Sequence, residues 1–304
     1  MLRLVCQPVA QALAGYLYVN AAPLSGRAAE IAFYLGACRL AERLRAADLP
    51  LCQPVLLAAV ERASRVRGLY NLVLALRLLQ GPPPAGQPAR PLPSNLEMGA
   101  GGRSFVLTGP NMGGKTTYLQ ATGLAHVLAQ AGLFVPGESA EIAPVDAVYT
   151  HFPQAESYTQ ASGRLGEEAQ RLAAIFGQAT PHSLILLNES LSSTSPGESL
   201  YLAQDIVCGL RLLGARAIFA THLHELAVRL AESNAIAPDE PPTGSLVAGV
   251  VPPEQRAGEG DLGRTYRIAP GSPEGLSYAE EIAQRHGISL SQLRAQLHRR
   301  GIGS

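Results

Sequence analysis

The chain has 304 residues, of which 47% are hydrophobic and 16% charged, so it can form one large or two ordinary folded domains. Its formal net charge is zero, which excludes a chain-wide basic surface for nucleic acid and leaves only local contacts with DNA. Four cysteines without a CxxC pair indicate reduced thiols in a cytoplasmic protein, and the lack of a secretory leader or a long apolar run predicts no membrane span.

The first 64 residues are predicted to form a small helical segment. Apolar residues recur at helical spacing over residues 27–46, and residues 54–66 show a helical pattern again. The apolar stripe of such helices must pack on the following domain or on a partner chain. Residues 81–93 contain six prolines, which exclude a helix or a central strand and predict a loop or hinge.

Residues 65–304 are predicted to form a second domain in which strands and helices alternate. This order is typical of an α/β fold with a mostly parallel sheet flanked by helices. The predicted elements are a strand at 104–108, helices at 116–131 and 166–178, a strand at 184–187, a helix at 198–213, a strand at 216–220, a helix at 224–232, a strand at 246–251, and helices at 278–286 and 290–299.

Lys115 is the only lysine among the 24 Lys and Arg residues, which leaves 23 arginines. It lies in Gly109–Thr116, a match to GxxxxGK[ST], the P-loop whose backbone amides wrap a polyphosphate. A planar guanidinium does not fit this tight loop, which needs a compact ammonium. The strand before the loop and the helix after it favour this interpretation over a glycine-rich turn with an incidental lysine.

A second candidate feature follows the strand at 184–187. P-loop proteins commonly carry an acidic pair at the end of a later buried strand, where it holds magnesium and activates water. Here the pair is Asn188 and Glu189. Asn188 keeps an acceptor oxygen but lacks the negative charge, whereas Glu189 suits the general base that polarises the attacking water. The alternative is a strand that ends in ordinary polar residues.

His222 follows the strand at 216–220 and is the third candidate. A histidine at the carboxyl end of a strand beside a phosphate site can bind the attacking water or sense the γ-phosphate. His222 and His224 could instead suggest zinc, but no third ligand follows at a suitable spacing. His224 is expected to begin the next helix.

A small polar turn around Ser162 precedes the helix at 166–178. Unsatisfied amides and the helix dipole make such a helix N-terminus a ready anion site. The turn is equally compatible with an ordinary helix start capped by Ser162, and the sequence leaves both interpretations open.

Together these motifs resemble the ATPase domain of the MutS family, the ABC-class P-loop ATPases of DNA mismatch repair. Four stretches carry the resemblance in the family's order. The resemblance covers roughly residues 65–304, while residues 1–64 are similar, more loosely, to the end of the family's core and lever region. The stretches are TGPNMGGKTTYLQ (108–120), LILLNE (184–189) with the following Ser192–Ser195, FATHLHEL (219–226) and GLSYAEEIAQRHGIS (275–289).

The resemblance implies ATP and Mg²⁺ as cofactors and a role for each motif residue. Thr116 would ligate Mg²⁺ and Asn188 would hold it through water. Asn111 would position water, Glu189 would be the base and His222 would read the nucleotide state. Ser162 would reach the γ-phosphate of the partner in a homodimer. The phosphates would be held by Gly109, Pro110, Asn111, Met112, Gly113, Gly114, Lys115, Thr116 and Thr117.

Three positions depart from the family pattern. Asn188 replaces the usual aspartate, Ser190–Ser193 replaces a glycine-rich turn, and Arg164 stands where an aromatic residue is common. These departures put hydrolysis in more doubt than ATP binding. The chain also has no room for the family's mismatch-reading domain, and it offers no aromatic wedge for a base step.

The leading hypothesis is a MutS-like ATPase of DNA mismatch repair or related repair, in which ATP drives conformational switching of a dimer bound to double-stranded DNA. A repair protein is a further partner compatible with this hypothesis. The alternative is a nucleotide-gated binding module that scarcely hydrolyses ATP and regulates a protein partner. A third hypothesis is an ABC-class subunit of another assembly, but the turn at Ser162 is a poor approximation to LSGGQ.

Overall fold

A computed structural model of the protein divides into two compact units, Met1–Leu51 and Cys52–Ser304. In the first unit, residues 6–14 form helix α1 and Ala28–Ala46 form helix α2. The helix expected at 27–46 is therefore confirmed, while the domain boundary at residue 64 stays a prediction. The described residues are 6–14, 26–81, 83, 88–153, 163–191, 195–236, 238–250, 263–272 and 287–300.

From Leu51 onward, short strands alternate with helices. The elements are β1 (Leu51–Cys52), β2 (Val55–Leu56), a 3-10 helix (Ala59–Glu61), β3 (Ser64–Leu69), α3 (Leu72–Leu78), β4 (Ser94–Met98), β5 (Ser104–Thr108), α4 (Lys115–Gln130), β6 (Val135–Pro136), β7 (Ser139–Ile142), β8 (Val148–His151), α5 (Gly163–Gln178), β9 (Leu184–Asn188), α6 (Pro196–Leu213), β10 (Arg216–Ala220), α7 (His224–Val228), α8 (Leu230–Ala235), β11 (Gly244–Val250), β12 (Arg264–Pro270) and α9 (Leu290–Arg299).

The central sheet has six strands in the order β12-β11-β5-β10-β9-β8. All neighbouring strands run parallel except β12, which pairs antiparallel with β11 at the edge. Strands β9 and β10 are buried along their whole length, as expected for near-continuous apolar runs covered on both faces. The fold is therefore α/β with the sheet and loop arrangement of P-loop NTPases, which confirms the fold class expected from the sequence.

The alternation of side chains along the central strands divides the core in two. Leu184, Leu186 and Ile218 pack with helix α4 and with the strands of a second sheet. Ile185 and Phe219 face the other way and pack with α5, α6 and α7. Each fully buried aliphatic side chain of this kind contributes roughly 1.5–3 kcal/mol, so the two layers fix the sheet between the helices.

The second sheet corrects one expectation. Residues 54–66 were expected to be helical, but they form β2, the 3-10 helix and the start of β3, within a four-stranded sheet ordered β2-β7-β3-β4. Val60, Ala63 and Val66 recur every three residues, which imitates a helical stripe. The burial of β3 instead alternates, with Val66 buried and its neighbours Arg65 and Arg67 exposed, and pairing with β4 and β7 favours the strand.

The other predicted elements that the structure describes agree with it, except that the helix expected at 224–232 is split into α7 and α8 at Arg229. Several elements were not expected from the sequence, namely β1, α3, β4, β6, β7, β8 and β12. The helix at 290–299 is confirmed, whereas the one expected at 278–286 lies outside the described residues. Among the described helices, none combines the length and apolar character needed to cross a membrane.

Candidate functional site

The candidate site lies where three adjacent parallel strands end. Strand β10 pairs with β5 on one side and with β9 on the other, and Ala220 is opposite both Leu107 and Asn188. The segments that follow the three strands therefore leave the same edge of the sheet side by side. These segments are the P-loop after β5, the turn at Glu189 after β9 and the turn at His222 after β10.

The P-loop depends on glycine at three positions. A Cβ on Gly109, where φ is 135°, would lie 2.7 Å from the Cβ of Ala248, and a Cβ on Gly113 would lie 2.9 Å from the carbonyl oxygen of Pro110. Gly114, at φ 98°, is the N-cap of α4. A side chain at Gly109 or Gly113 would collide with Ala248 of β11 or with the loop itself. The glycines therefore let the loop pack tightly against the sheet in front of the N-terminus of α4, where free amides favour an anion.

Lys115 is buried at the start of α4, with 4% of its surface exposed. Its Nζ donates to the carbonyl oxygens of Gly109 at 2.8 Å and Pro110 at 3.1 Å, and lies 3.5 Å from His222 Nδ1. Burial lowers the pKa of Lys115 to about 8, although the negative charge of Glu189 acts in the opposite direction. An ammonium has three donors, so one of them has only the distant histidine nitrogen as its neighbour.

Thr116 and Asn188 bring two neutral oxygens together beside the lysine. Thr116 Oγ1 donates to Asn188 Oδ1 at 3.2 Å, and Asn188 is buried. Oxygen ligands are those that Mg²⁺ prefers. The pair can therefore contact a hydrated divalent cation, but it adds no negative charge to neutralise that cation.

Glu189 and His222 form a pair at the mouth of the site. Glu189 Oε1 lies 2.8 Å from His222 Nε2, and both side chains are partly exposed. The other ring nitrogen of His222 is the one near Lys115. The ring thus connects the candidate base with the candidate phosphate ligand, and a partly exposed carboxylate in this place can accept a proton from a nearby water.

The structure places the remaining candidates less centrally. Asn111 and Met112 are exposed at the tip of the loop, and Thr117 lies in the first turn of α4 with its carbonyl oxygen bonded to Asn71 Nδ2. Ser162 lies outside the described residues. His224 begins α7, as expected from the sequence. The structure therefore brings together Lys115, Thr116, Asn188, Glu189 and His222.

A cavity of about 270 Å³ beside the P-loop was not expected from the sequence. Its wall is largely apolar, and a flat ring could occupy it. Helix α3 supplies part of this wall, and the sequence signals it only through residues 72–79, which are apolar except for Arg77. Besides the P-loop, the cavity is lined by Leu69, Tyr70, Asn71, Leu74, Leu78, Pro88, Arg90, Leu92, Ser94, Tyr118, Ala121, Glu189 and Tyr266.

Known proteins match this part of the chain. Residues 105–239 match the family model described as MutS domain V. The DNA mismatch repair protein MutS of Granulibacter bethesdensis is 39% identical over 143 residues, which are 47% of this chain and 15% of that protein. For the DNA mismatch repair protein MutS of Chlorobium limicola the identity is 42% over 126 residues, or 41% of this chain and 14% of the relative.

The endonuclease MutS2 of Thermomicrobium roseum is 34% identical over 203 residues, which are 65% of this chain and 23% of that protein. The chain thus spans less than a quarter of the length of each of these three relatives. The region matched by the family model contains most of the P-loop strand, the turn at Glu189 and the turn at His222.

Proposed function

Residues 105–239 of this chain are a domain V of the MutS family, a domain of DNA mismatch repair proteins, and on this premise we propose that the chain binds ATP with Mg²⁺ and hydrolyses it. The observation that carries the proposal is the meeting of five side chains at one edge of the central sheet. These side chains are Lys115, Thr116, Asn188, Glu189 and His222.

The loop and the adjoining cavity fit a nucleoside triphosphate. Gly109 and Gly113 let the loop pack tightly on Ala248 of β11, and the amides at the start of α4 are available to a phosphate. Lys115 has a donor available for a phosphate oxygen. The apolar cavity beside the loop is suited to a nucleobase, which would stack on side chains of α3 and of the segment before β4.

Thr116 and Asn188 are the residues that would hold Mg²⁺. Bound Mg²⁺ supplies charge that neutralises the phosphate oxygens. Because both side-chain oxygens are neutral, most of the negative charge around the cation would have to come from the nucleotide. We therefore expect Mg²⁺ to bind together with ATP and only weakly alone.

Glu189 is the proposed general base. Its carboxylate would accept a proton from a water in line with the terminal phosphate, while His222 orients the carboxylate through the 2.8 Å contact. The approach of His222 Nδ1 to Lys115 Nζ also gives this ring a route to respond to phosphate at the lysine. The Glu189–His222 pair thus supports both hydrolysis and sensing of the nucleotide state.

We extend the proposal to ATP-driven switching of a dimer on double-stranded DNA, because two of the relatives are DNA mismatch repair proteins. Ser162 would contact the γ-phosphate held by the partner. The test is DNA affinity at low salt, where contacts with phosphates are strongest, with and without ATP in the Glu189→Gln variant. Equal DNA affinity with and without ATP would contradict ATP-driven switching. A molar mass in solution that stays that of a monomer on addition of ATP would contradict the dimer.

A second candidate function is favoured by Asn188. Without the aspartate charge, a site that binds ATP can be a poor catalyst, and the chain would then act as a nucleotide-gated module that regulates a protein partner. This candidate and the first share every binding residue. They differ only in multiple turnover.

The deciding experiment is Mg²⁺-dependent ATP turnover, with Glu189→Gln as the blank and ATP affinity measured in parallel. Turnover above the blank supports the ATPase and excludes the pure binding module. Binding without turnover supports the module. If neither is detected, the P-loop does not bind ATP and both proposals fail.

A further inference from the structure

The turn that follows β9, at residues 189–191, contains two left-handed residues that are not glycine. The φ angle is 51° at Glu189 and 65° at Leu191, and Ser190 between them is buried. An L-residue in this region is unfavourable, since its Cβ crowds the following carbonyl oxygen. The turn therefore needs contacts that hold it, and its shape sets the direction of the Glu189 carboxylate.

Ser190 is held by a histidine on the neighbouring strand. His151 ends β8, directly opposite Leu187 of β9, and its Nδ1 lies 2.7 Å from Ser190 Oγ. His151 is buried, with 4% of its surface exposed. Burial and the positive charge of Arg171 lower its pKa. The ring is thus neutral near pH 7, and its Nδ1 can form one hydrogen bond with the Ser190 hydroxyl.

The other residues of the turn are also held by hydrogen bonds. Glu168 on α5 accepts a hydrogen bond from the Leu191 amide at 2.7 Å, and Ser199 on α6 donates to the Leu191 carbonyl oxygen at 2.6 Å. The Glu189 amide donates to the Ala220 carbonyl oxygen at 2.8 Å. The Ser190 side chain is the part of the turn held from β8, and His151 supplies that contact.

We propose that His151 is a positioning residue for Glu189. Through Ser190 it holds the left-handed turn in which the Glu189 carboxylate meets the His222 ring. His151 contacts Ser190 and not the carboxylate, so it acts on the geometry of the base alone. The inference rests on the proposed function, because the direction of Glu189 matters for hydrolysis and not for holding ATP.

The first test compares His151→Ala, His151→Asn and Ser190→Ala. Because a misplacement of about 1 Å in a catalytic group can reduce the rate on the order of 100-fold, we expect kcat to fall about 10- to 100-fold in the two alanine variants. ATP affinity should stay within about twofold, since Lys115 and the loop are unchanged. His151→Asn should restore most of kcat, because its amide can occupy the place of Nδ1. In the Glu189→Gln background, His151→Ala should have no further effect.

The second test does not require hydrolysis, so it separates this inference from the proposed function. The ¹⁵N signals of the His222 ring are recorded in histidine-labelled protein and assigned with His222→Gln, which is feasible with seven histidines. Glu189→Gln defines the signals of the broken pair. We expect His151→Ala and Ser190→Ala to move the His222 signals toward that reference, and His151→Asn to leave them near wild type.

Folded alanine variants with wild-type His222 signals would overturn the inference, whether or not the wild type hydrolyses ATP. If His151→Ala does not fold, Ser190→Ala removes the same hydrogen bond with a smaller change and decides the matter. A wild type that binds ATP without turnover would refute hydrolysis while the ring signals still report on the turn.

Discussion

Two buried cations lie at opposite ends of the parallel strands of the central sheet, and the protein gives them different sets of hydrogen-bond acceptors. Arg216 is at the amino end of β10 and is completely buried, whereas Lys115 follows the carboxyl end of β5, with 4% of its surface exposed. Burial lowers the pKa of both, to about 10 for Arg216 and to about 8 for Lys115. What differs is the number of partners that the protein itself supplies.

The Arg216 guanidinium is surrounded by protein acceptors. Its two terminal nitrogens donate to four backbone carbonyl oxygens and to Ser64 Oγ, at distances of 2.6–3.3 Å. Ser64 Oγ also forms a hydrogen bond with His126 Nε2 on α4, at 2.8 Å. Burial lowers the pKa of that histidine to about 4. Arg216 thereby ties the second sheet and the start of β9 to β10. The carbonyl oxygens that it contacts are those of Ala63, Ala143, Pro144 and His182.

Lys115 has two carbonyl oxygens of its own loop and one distant ring nitrogen. The comparison teaches that burial alone does not identify a functional cation. A buried cation whose two terminal nitrogens both donate to protein acceptors stabilises the fold, whereas one with an available donor in an open cradle is ready for an anionic ligand.

Replacing each cation by methionine should separate the two roles, and this is the largest effect that we expect. Arg216→Met leaves the carbonyls of Ala143, Pro144 and His182 without this donor, so the free energy of unfolding should fall by about 3 kcal/mol. Lys115→Met is the matched control and should change it by less than about 1 kcal/mol or increase it, because burial already disfavours the charged lysine. Denaturant unfolding measures both free energies of unfolding. Similar losses in the two variants would contradict the distinction between a structural and a functional cation.

The complementary effect is on ATP. Lys115→Ala removes a charged donor to phosphate, worth roughly 1.5–3 kcal/mol, so affinity should fall about 10- to 150-fold. Titration with a fluorescent nucleotide measures it. Lys115→Arg keeps the charge without the compact shape and should recover little of the affinity. Unchanged affinity in the alanine variant would mean that the P-loop assignment is wrong.

The sequence predicted the carboxyl ends of the central strands, where the candidate site lies, well, and the opposite end, where Arg216 lies, poorly. The predicted strands at 104–108 and 216–220 coincide with β5 and β10, because each contains a continuous and largely buried apolar run, at 105–107 and 217–220. The P-loop and the turns at Glu189 and His222 were predicted because they directly follow β5, β9 and β10. Arg216, in contrast, finds its partners 34 to 153 positions away, through packing that no local pattern encodes.

The same reason explains the other omissions. Ser190 and His151 are 39 positions apart and meet only because β8 lies beside β9. The three-residue spacing of Val60, Ala63 and Val66 is compatible with a helix. The exposed Arg65 and Arg67 of β3 alternate with buried residues, and this alternation identifies a strand only when β3 is paired with β4 and β7. Local spacing thus identifies residues that act at strand ends, while contacts between distant elements depend on the topology.

The lowered pKa of Lys115 gives a smaller, pH-dependent effect. A lysine with a pKa near 8 is mostly charged at pH 7 and mostly neutral at pH 9. Since phosphate needs the charged form, ATP affinity should be nearly full at pH 7 and below, about half of that at pH 8, and about tenfold lower at pH 9 than at pH 7. Lys115→Ala should lack this dependence. A flat profile in the wild type would place the lysine charge outside ATP binding.

The smallest effect that we expect concerns Asn188. It is satisfied by Thr116, so Asn188→Asp would create a buried negative charge with no cation of its own. Attraction to Mg²⁺, less the burial of the carboxylate, should leave a net gain of about 1 kcal/mol, or about fivefold tighter Mg²⁺ in the presence of ATP. The Mg²⁺ dependence of ATP binding measures this gain, with Asn188→Ala as the control that removes the oxygen. Without Mg²⁺ the aspartate variant should unfold at lower denaturant than the wild type and regain stability on addition of Mg²⁺ and ATP. If Mg²⁺ affinity is the same for Asn and Asp, the cation is held by the nucleotide and Thr116 alone, and position 188 belongs with Arg216 among the residues that serve the fold.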